Sequence, residues 1–412
     1  MPANIKRFMR MKWYPNLYNE VTKALEAIFE HEQQADKYIH SLLKKQKKWG
    51  SRDRKFVAKV LFDIVRWKRL CEYLAQAGIQ SDEGKERILA VWSLLNDVPT
   101  PDYLTFKDIT PDGIQNRLNE LSDESIRQSV PVWLFEILRE QLGENKWIKE
   151  INALNQEAEV VIRINTLKTT RKKLQEILKE FTVETEFDHN HPDALFIQNR
   201  KKLTTLPAYK QGLFEFQDAS SQLVAAFTGV QPGMTVIDAC AGAGGKTLHL
   251  ANLMKNKGKI FAYDIYDSKI KELLRRARRN GVKNIAEAAV INRDIINKNK
   301  EKADILLIDA PCSSLGTLRR KPGLKWELTP DKLNKINLIQ KDIINDYQKM
   351  LKPGGYLIYV TCSILPLENE KVINAFLNQH KNYTFVAGKT IYPSTARGDG
   401  FYMAKLKKTN KK

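Results

Sequence analysis

The period of the apolar positions changes along the chain and divides it. From Pro15 to Gln76 the apolar residues recur at helical spacing, with Leu17, Val21, Ala24, Leu25 and Ile28 in one run and Phe56, Val57, Val60, Leu61, Ile64 and Val65 in another. Ser51, ahead of Arg52 to Arg54, supplies a helix start. Pro99, Pro101 and Pro111 mark Asn96 to Pro111 as a loop or linker. A further amphipathic helix is predicted over Val132 to Leu142, ended by Gly143. Past Glu159 the pattern turns β-branched. Val160 to Ile164 reads as a strand, Arg171 to Glu180 as a helix and Ala194 to Ile197 as a short strand, a small α+β unit. From Gly233 onward strands alternate with helices. They are predicted at Thr235–Asp238, Lys259–Tyr263, Ala288–Ile291, Ile305–Ile308, Tyr356–Val360 and near Phe385. That alternation predicts a doubly wound, mostly parallel α/β sheet. The expected division is a helical domain over 1–130, a helix with the α+β segment over 131–212, and the α/β domain over 213–408.

Composition narrows the setting. The chain has 412 residues, 42% of them apolar, enough for two or three domains with real cores. No apolar stretch approaches the roughly 18 residues of a spanning helix. Lys6, Arg7, Arg10 and Lys12 are followed by no apolar segment, so no secretory signal is read. Four cysteines in a chain this long are no disulfide framework, and a reducing cytoplasm fits better. The net charge of +20 favours a polyanionic partner. The charge is clustered, at Lys44, Lys45, Lys47, Lys48, Arg52, Arg54 and Lys55, at Arg275, Arg276, Arg278 and Arg279, and at Arg319, Arg320 and Lys321. Clusters of this kind point to nucleic acid. Lys407 to Lys412 reads as a frayed tail.

The chemistry gathers at predicted strand ends, where open α/β sheets bind their ligands. Cys312, in Asp309-Ala310-Pro311-Cys312, follows one apolar strand, and Cys362, in Thr361-Cys362-Ser363, follows another. If those strands are neighbours they lie ~5 Å apart, and both thiols face one pocket. A third strand runs into Asp238-Ala239-Cys240-Ala241-Gly242-Ala243-Gly244-Gly245-Lys246-Thr247 and then a helix. Glycines there allow close backbone approach, and a helix N-terminus offers free N–H groups. Cys240 stands where a phosphate-binding P-loop needs its first glycine, and Thr247 where a dinucleotide fingerprint needs its third. A loop of the S-adenosylmethionine-binding kind remains. Asp264 follows the glycines by about 20 residues, the usual place for a ribose-binding acid. No Cys-x-x-Cys pair exists, and His189 and His191 fall in a loop, so no metal is expected. Cys71 reads as a buried small hydrophobe, and Trp49, Trp67, Trp92 and Trp133 as helix-packing residues.

At these residues the chain resembles the RsmB/Nop/Sun family of RNA cytosine-C5 methyltransferases, most closely the bacterial members acting on 16S ribosomal RNA. The resemblance is carried by Gln217-Asp218-Ala219-Ser220-Ser221-Gln222, Cys240 to Thr247, Asp304 to Ser313, Thr361 to Pro366, Glu368-Asn369-Glu370 and Gly398-Asp399-Gly400-Phe401. Gly242 and Ala243 stand where the family usually has Ala-Pro. Arg163-Ile164-Asn165-Thr166 is similar to the start of the family's RNA-recognition-like segment, and the helices between Asn16 and Leu74 resemble a divergent NusB-type domain. Val98 to Ser129 does not resemble the complete NusB-like array.

The resemblance implies a Rossmann-like methyltransferase domain that uses S-adenosylmethionine and an RNA substrate, ribosomal or transfer RNA, in a cytoplasmic monomer. It assigns Cys362 as the nucleophile toward carbon 6 of cytosine and Cys312 to release after methylation, with Asp309 and Lys246 in the same pocket. Covalent attack is needed because carbon 5 is too weak a nucleophile unaided. Cofactor contacts are expected from Cys240, Ala241, Gly242, Ala243, Gly244, Gly245, Lys246, Asp264, Asp294 and Asp309. RNA contacts are expected from Arg163, Arg319, Arg320 and Lys325, to a base that is single-stranded or flipped. Two other classes compete: a P-loop nucleotidase, against which the missing glycine stands, and a non-enzymatic ribosome-assembly factor, against which the two cysteines stand.

Overall fold

The computed structural model describes residues 11–199 and 201–409; Lys6, Arg7, Arg10 and the last residues of the expected tail lie outside them. The chain forms two compact units. One is made of residues up to Asn155 together with Arg320–Thr329, the other of Gln156–Arg319 with the chain from Pro330 on.

The first unit is helical, with helices Pro15–Phe29, Ala35–Lys45, Ser51–Ala75, Asp82–Leu95, Pro111–Glu120, Glu124–Arg127, Val132–Leu142, Glu144–Leu154 and, from the returning segment, Leu324–Glu327. Leu17, Val21, Leu25, Phe56, Val60, Ile64 and Trp92 form one core, and Trp13 packs edge-on against Phe56 and Trp92. Asn96 to Pro111 is not a linker between domains: it lies inside this unit, holds the 3-10 turn Asp102–Leu104, and buries Leu104 and Ile109. Pro111 opens the next helix, capped by the Thr110 side chain, because a first-turn residue needs no N–H.

The long helix Ser51–Ala75 is broken at Trp67, whose φ of −113° and ψ of 25° are not helical. The break has an identifiable cause. Arg69 N–H donates to Ser129 Oγ (3.0 Å), which frees upstream carbonyls. Val65 O accepts from Trp326 Nε1 at 2.6 Å, and Arg66 O from Lys325 Nζ at 2.7 Å. Side chains inserted into the ladder both bend the helix and satisfy its buried carbonyls.

The second unit holds two sheets. In the smaller, β1 (Val160–Ile164), β2 (Thr185–Glu186), β3 (Ala194–Ile197) and β4 (Phe214–Phe216) run antiparallel in the order β2-β3-β1-β4, with helix Arg171–Glu180 between β1 and β2. The larger contains β5 (Thr235–Asp238), β6 (Lys259–Asp264), β7 (Ile285–Val290), β8 (Ala303–Asp309), β9 (Leu351–Thr361), β10 (Tyr383–Ile391) and β11 (Phe401–Lys408) in the order β10-β11-β9-β8-β5-β6-β7. β9, β8, β5, β6 and β7 are parallel; β11 runs antiparallel to β9, and β10, antiparallel to β11, returns to the direction of the others. Alternate residues of β8 and β9 enter different cores: Leu306, Ile308, Leu357 and Tyr359 on one face, Ile305, Leu307, Ile358 and Val360 on the other. Both faces are therefore covered, as a doubly wound sheet requires.

The basic C-terminus is not a frayed tail up to Lys408. β11 runs through Lys407, and the Lys408 ammonium is buried, donating to Leu351 O at 2.7 Å. Paired backbone on both sides holds the strand despite its lysines.

Candidate active site

β8 and β9 are neighbours in parallel register, with Asp309 opposite Val360. Their carboxyl ends therefore deliver Asp309 to Ser314 and Thr361 to Ser363 to one place. Cys312 Sγ and Cys362 Sγ lie 3.2 Å apart, and Cys362 N–H donates to Cys312 Sγ at 3.3 Å. Ser314 Oγ is 3.3 Å from Cys362 Sγ. The hydrogen bond with Cys312 lowers the Cys362 pKa below the ordinary thiol value; the Ser314 hydroxyl and Lys246 add to it, and burial and Asp309 oppose it. Cys312 moves the other way: its bond to Cys362 and then its burial keep it protonated. The two shifts are opposed: the surroundings favour the thiolate at Cys362 and the thiol at Cys312.

Two residues hold this loop pair without touching the sulfurs. Glu368 Oε1 accepts from Ser313 N–H at 2.7 Å and from Gln340 Nε2 at 3.1 Å, while its Oε2 accepts from the Ser313 and Ser363 hydroxyls. Asn369 meets the Thr361 hydroxyl and donates to Ser363 O at 3.1 Å. Glu368 and Asn369 carry part of the resemblance, yet sequence reasoning gave them no role. Their position after Pro366 was the available signal. Ser314 carried no signal of its own.

Lys246 Nζ is 2.6 Å from Asp309 Oδ2. Burial lowers the Lys246 pKa, but the Asp309 carboxylate outweighs it and holds the ammonium above its ordinary value. Lys246 thus joins Asp309, Cys312 and Cys362 at one site. Burial, then Asp238, Asp309 and Asp264, hold the Cys240 thiol well above the ordinary value, which disfavours it as a further nucleophile.

The glycine loop links β5 to helix Gly245–Leu253. Gly244 has φ +85°, and a Cβ there would lie 2.7 Å from Leu273 Cγ, so both backbone and packing require glycine. A Cβ on Gly242 would meet nothing within 4 Å, so the loop faces open space on that side. Asp264 closes β6 and fixes the loop: its Oδ2 accepts from Gly242 N–H at 2.8 Å and its Oδ1 from Tyr266 N–H at 2.9 Å. Two arginines hold the loop's carbonyls, Arg276 on Ala243 O at 2.7 Å and Arg163 on Gly245 O at 2.6 Å. Asp238, fully buried, accepts from Thr247 Oγ1 at 2.7 Å and is pushed up to about 7 by desolvation. Open space over glycines, carboxylate lone pairs at the next strand end and a helix N-terminus suit a cofactor with a ribose and charged ends. Asp294 is exposed in the first turn of helix Arg293–Lys298, beyond the end of β7.

The expected RNA contacts need correction. Arg163 is 1% exposed, its guanidinium bound to Gln217 Oε1 and Gly245 O. Lys325 is fully buried, donating to Arg66 O, Ser129 O and Asn155 Oδ1 at 2.7, 2.8 and 3.1 Å. Neither reaches a phosphate, because both side chains are buried and donate inside the fold. Arg319 is half-buried and donates to Gly398 O and Pro393 O; Arg320 is exposed. Within the 275–279 cluster, Arg276 and Arg279 bind the buried Glu215 carboxylate and Arg275 pairs with Glu272.

A doubly wound sheet with the single reversed strand β11 inserted between β9 and β10, a glycine loop after β5 and an acid closing β6 defines an S-adenosylmethionine-dependent methyltransferase. Residues 226–407 match the family model described as 16S rRNA methyltransferase RsmB/F, and residues 130–204 match the ferredoxin-like domain of the RsmF/B-like methyltransferases. The chain is 33% identical over 312 residues to the probable ribosomal RNA small subunit methyltransferase B of Synechocystis sp., covering 70% of each protein. The solved structure of PH0851 superimposes with a TM-score of 0.80 at 26% identity, over 97% of this chain and 100% of that one. A methyltransferase homolog protein from Pyrococcus horikoshii gives 0.62 at 27% identity, over 69% and 98%. The chain belongs to the RsmB/F family of ribosomal RNA methyltransferases.

Proposed function

We propose that the protein methylates carbon 5 of a cytosine in small-subunit ribosomal RNA through a covalent bond between Cys362 and carbon 6. The observation that carries this reading is the pair of thiols 3.2 Å apart at adjoining strand ends, one favouring the thiolate and the other the thiol. A thiolate is the attacking form, and an amide-like ring needs such attack before carbon 5 becomes nucleophilic.

In this reading the Cys362 thiolate adds to carbon 6, the carbon 5–carbon 6 π bond opens, and its electron pair moves into the ring. S-adenosylmethionine, held by the Cys240 to Lys246 loop and Asp264, supplies the methyl group that carbon 5 takes up. Asp294, in the first turn of the helix after β7, would lie near the adenine. Solvent water then takes the carbon 5 proton, the freed pair re-forms the carbon 5–carbon 6 double bond, the carbon 6–sulfur bond breaks, and Cys362 leaves as a thiolate that accepts a hydrogen bond from the Cys312 S–H beside it. The Lys246–Asp309 pair faces the polar edge of the base, where charge develops during attack; preorganised groups of this kind are worth several kcal/mol in a dry site. Of the four expected phosphate contacts, Arg320, exposed and close in sequence to the Cys312 loop, is the remaining candidate. The protein would act as a monomer in the cytoplasm.

The test is methyl transfer to a small-subunit ribosomal RNA transcript, with transfer RNA in parallel and bisulfite sequencing of the product. The expected result is 5-methylcytosine at one ribosomal position. A methyl group on another base, on a ring nitrogen, or on transfer RNA alone would overturn the reading.

A further inference from the structure

Ser314 occupies a conformation that serine avoids. Its φ of 59° and ψ of 21° are left-handed, a region that costs any residue with a Cβ and that a glycine would take freely. It precedes the 3-10 turn Leu315–Thr317, where a serine ordinarily adopts extended backbone and caps the turn with its hydroxyl. Here the cap bond is absent. The backbone of the turn is satisfied by other means: Ser314 O accepts from both Thr317 N–H and Thr317 Oγ1 at 2.8 Å. The neighbouring Ser313 hydroxyl is committed to Glu368. Ser314 Oγ instead lies 3.3 Å from Cys362 Sγ, accepting from the thiol; once that thiol ionises, the serine O–H is the group that can donate across the same contact.

The turn is tied to the nucleophile's own backbone. Gly316 N–H donates to Cys362 O at 2.9 Å, and Gly400 N–H donates to Gly316 O at 2.8 Å. A Cβ on Gly316 would lie 2.1 Å from Gly400 O, so the strands of this knot approach as closely as backbone allows. The hydroxyl-to-sulfur distance is thus set by the main chain. Backbone strain held by its surroundings at a reacting atom points to function.

We infer that Ser314 is a catalytic hydrogen-bond donor that keeps the Cys362 sulfur in its attacking, deprotonated form. The inference rests on the proposed role of Cys362 and adds a residue to it. The groups facing Cys362 sulfur are Cys312 from the loop after β8, Asp309 from the end of β8, Lys246 from the helix after β5, and Ser314. Cys312 is called on at release, and Lys246 is engaged with Asp309. A serine hydroxyl does not ionise in this range, so Ser314 can donate to the sulfur both before attack and as the sulfur departs. No proton leaves Ser314; the thiol proton of Cys362 goes to solvent before carbon 6 is attacked. The direction of the Cys362 shift includes a contribution from this hydroxyl.

The test is the rate of Cys362 alkylation by iodoacetamide as pH rises, read on the Cys362 peptide by mass spectrometry in the intact protein. Ser314→Gly and Ser314→Ala are compared with wild type. Loss of a hydrogen bond to a charged group should move the alkylation midpoint alkaline by about one pH unit in both variants. Ser314→Gly is the decisive variant, because it relieves the left-handed strain and keeps or raises the melting temperature. A purely structural serine predicts that glycine is harmless in both measurements. An unchanged midpoint in a folded Ser314→Gly would overturn the inference even if wild type makes 5-methylcytosine. A shifted midpoint in a protein that transfers no methyl group to cytosine would leave the donor role standing and remove the proposed reaction.

Discussion

Glu215 is the residue whose replacement should disturb the most. It stands on β4, 2% exposed, and accepts from Arg276 Nη2 at 2.9 Å, from Arg279 and from Asn280. Arg276 in turn holds Ala243 O of the glycine loop at 2.7 Å. In Glu215→Gln the shape is kept, but two guanidinium groups, each with 15% of its side chain exposed, lose their carboxylate. Breaking a buried pair from one side costs about 3–5 kcal/mol, because the remaining charge stays buried. For a unit of this size each kcal/mol lowers the melting temperature by about 2–4 °C, so the drop should be on the order of 10 °C. The pH dependence has a definite sign. Burial raises the Glu215 pKa, yet Arg276, Arg279 and Asn280 outweigh it and hold it below the ordinary glutamate value. A depressed carboxyl stabilises the fold above its unfolded pKa and loses that contribution as pH falls through the folded value. Thermal melts of wild type and variant should therefore differ widely near neutral pH and converge in acid. The KM for S-adenosylmethionine should also rise, since the Ala243 carbonyl loses its anchor. A change under about 1 kcal/mol, or one equal at both pH values, would refute the buried-charge argument.

Three further outcomes follow from the same network. Asp264→Ala removes the acceptor that fixes Gly242 N–H and faces the cofactor space, and calorimetry should show S-adenosylmethionine binding weakened by about 1–3 kcal/mol; an unchanged affinity would contradict the assignment. Lys325→Met strands three acceptors inside the helical unit, so it should cost on the order of 2–3 kcal/mol in urea unfolding while leaving the salt slope of RNA binding unaltered; a reduced slope would restore the phosphate-binding reading. His249, paired with Asp193 at 2.9 Å, is pushed down to about 4, first by burial and then by Arg163. The unfolded chain therefore binds a proton that the native one refuses as pH falls below about 6.5, and stability should drop by about 1.4 kcal/mol per pH unit until the folded value is reached. In His249→Gln that slope should flatten, as melts in mildly acidic buffers would show.

The sheet was legible in the sequence because its strands are buried on both faces and read as apolar runs ending in punctuated loops. Ile305 to Ile308 and Tyr356 to Val360 are such runs, and the structure extends both, to β8 and β9. β11 was missed because Lys405, Lys407 and Lys408 break its apolar pattern; Lys408 is satisfied by Leu351 O and Lys405 by Thr228 O, contacts that no local spacing reveals. Helix Asp82–Leu95 was passed over because its first half is charged and its second half, Ile88 to Ser93, is buried on every side, so no continuous amphipathic stripe marks it. The two cysteines were found because each follows a strand. Charge misled at Arg163, Lys325, Arg276 and Arg279, since a cluster of cations in sequence carries no sign of the carbonyls and the single carboxylate that absorb them. Glu368 and Ser314 became visible only when β8 and β9 were laid side by side.

The central claim is that Cys362 attacks and Cys312 releases, and trapping the covalent species tests it most directly. Wild type, Cys312→Ala, Cys362→Ala and the double variant are incubated with ribosomal RNA transcript and S-adenosylmethionine and run on denaturing gels. With Cys362 as nucleophile, Cys312→Ala should accumulate a methylated protein–RNA conjugate, and Cys362→Ala and the double variant should form none. A conjugate in Cys362→Ala and its absence in Cys312→Ala would reverse the two roles and contradict the account.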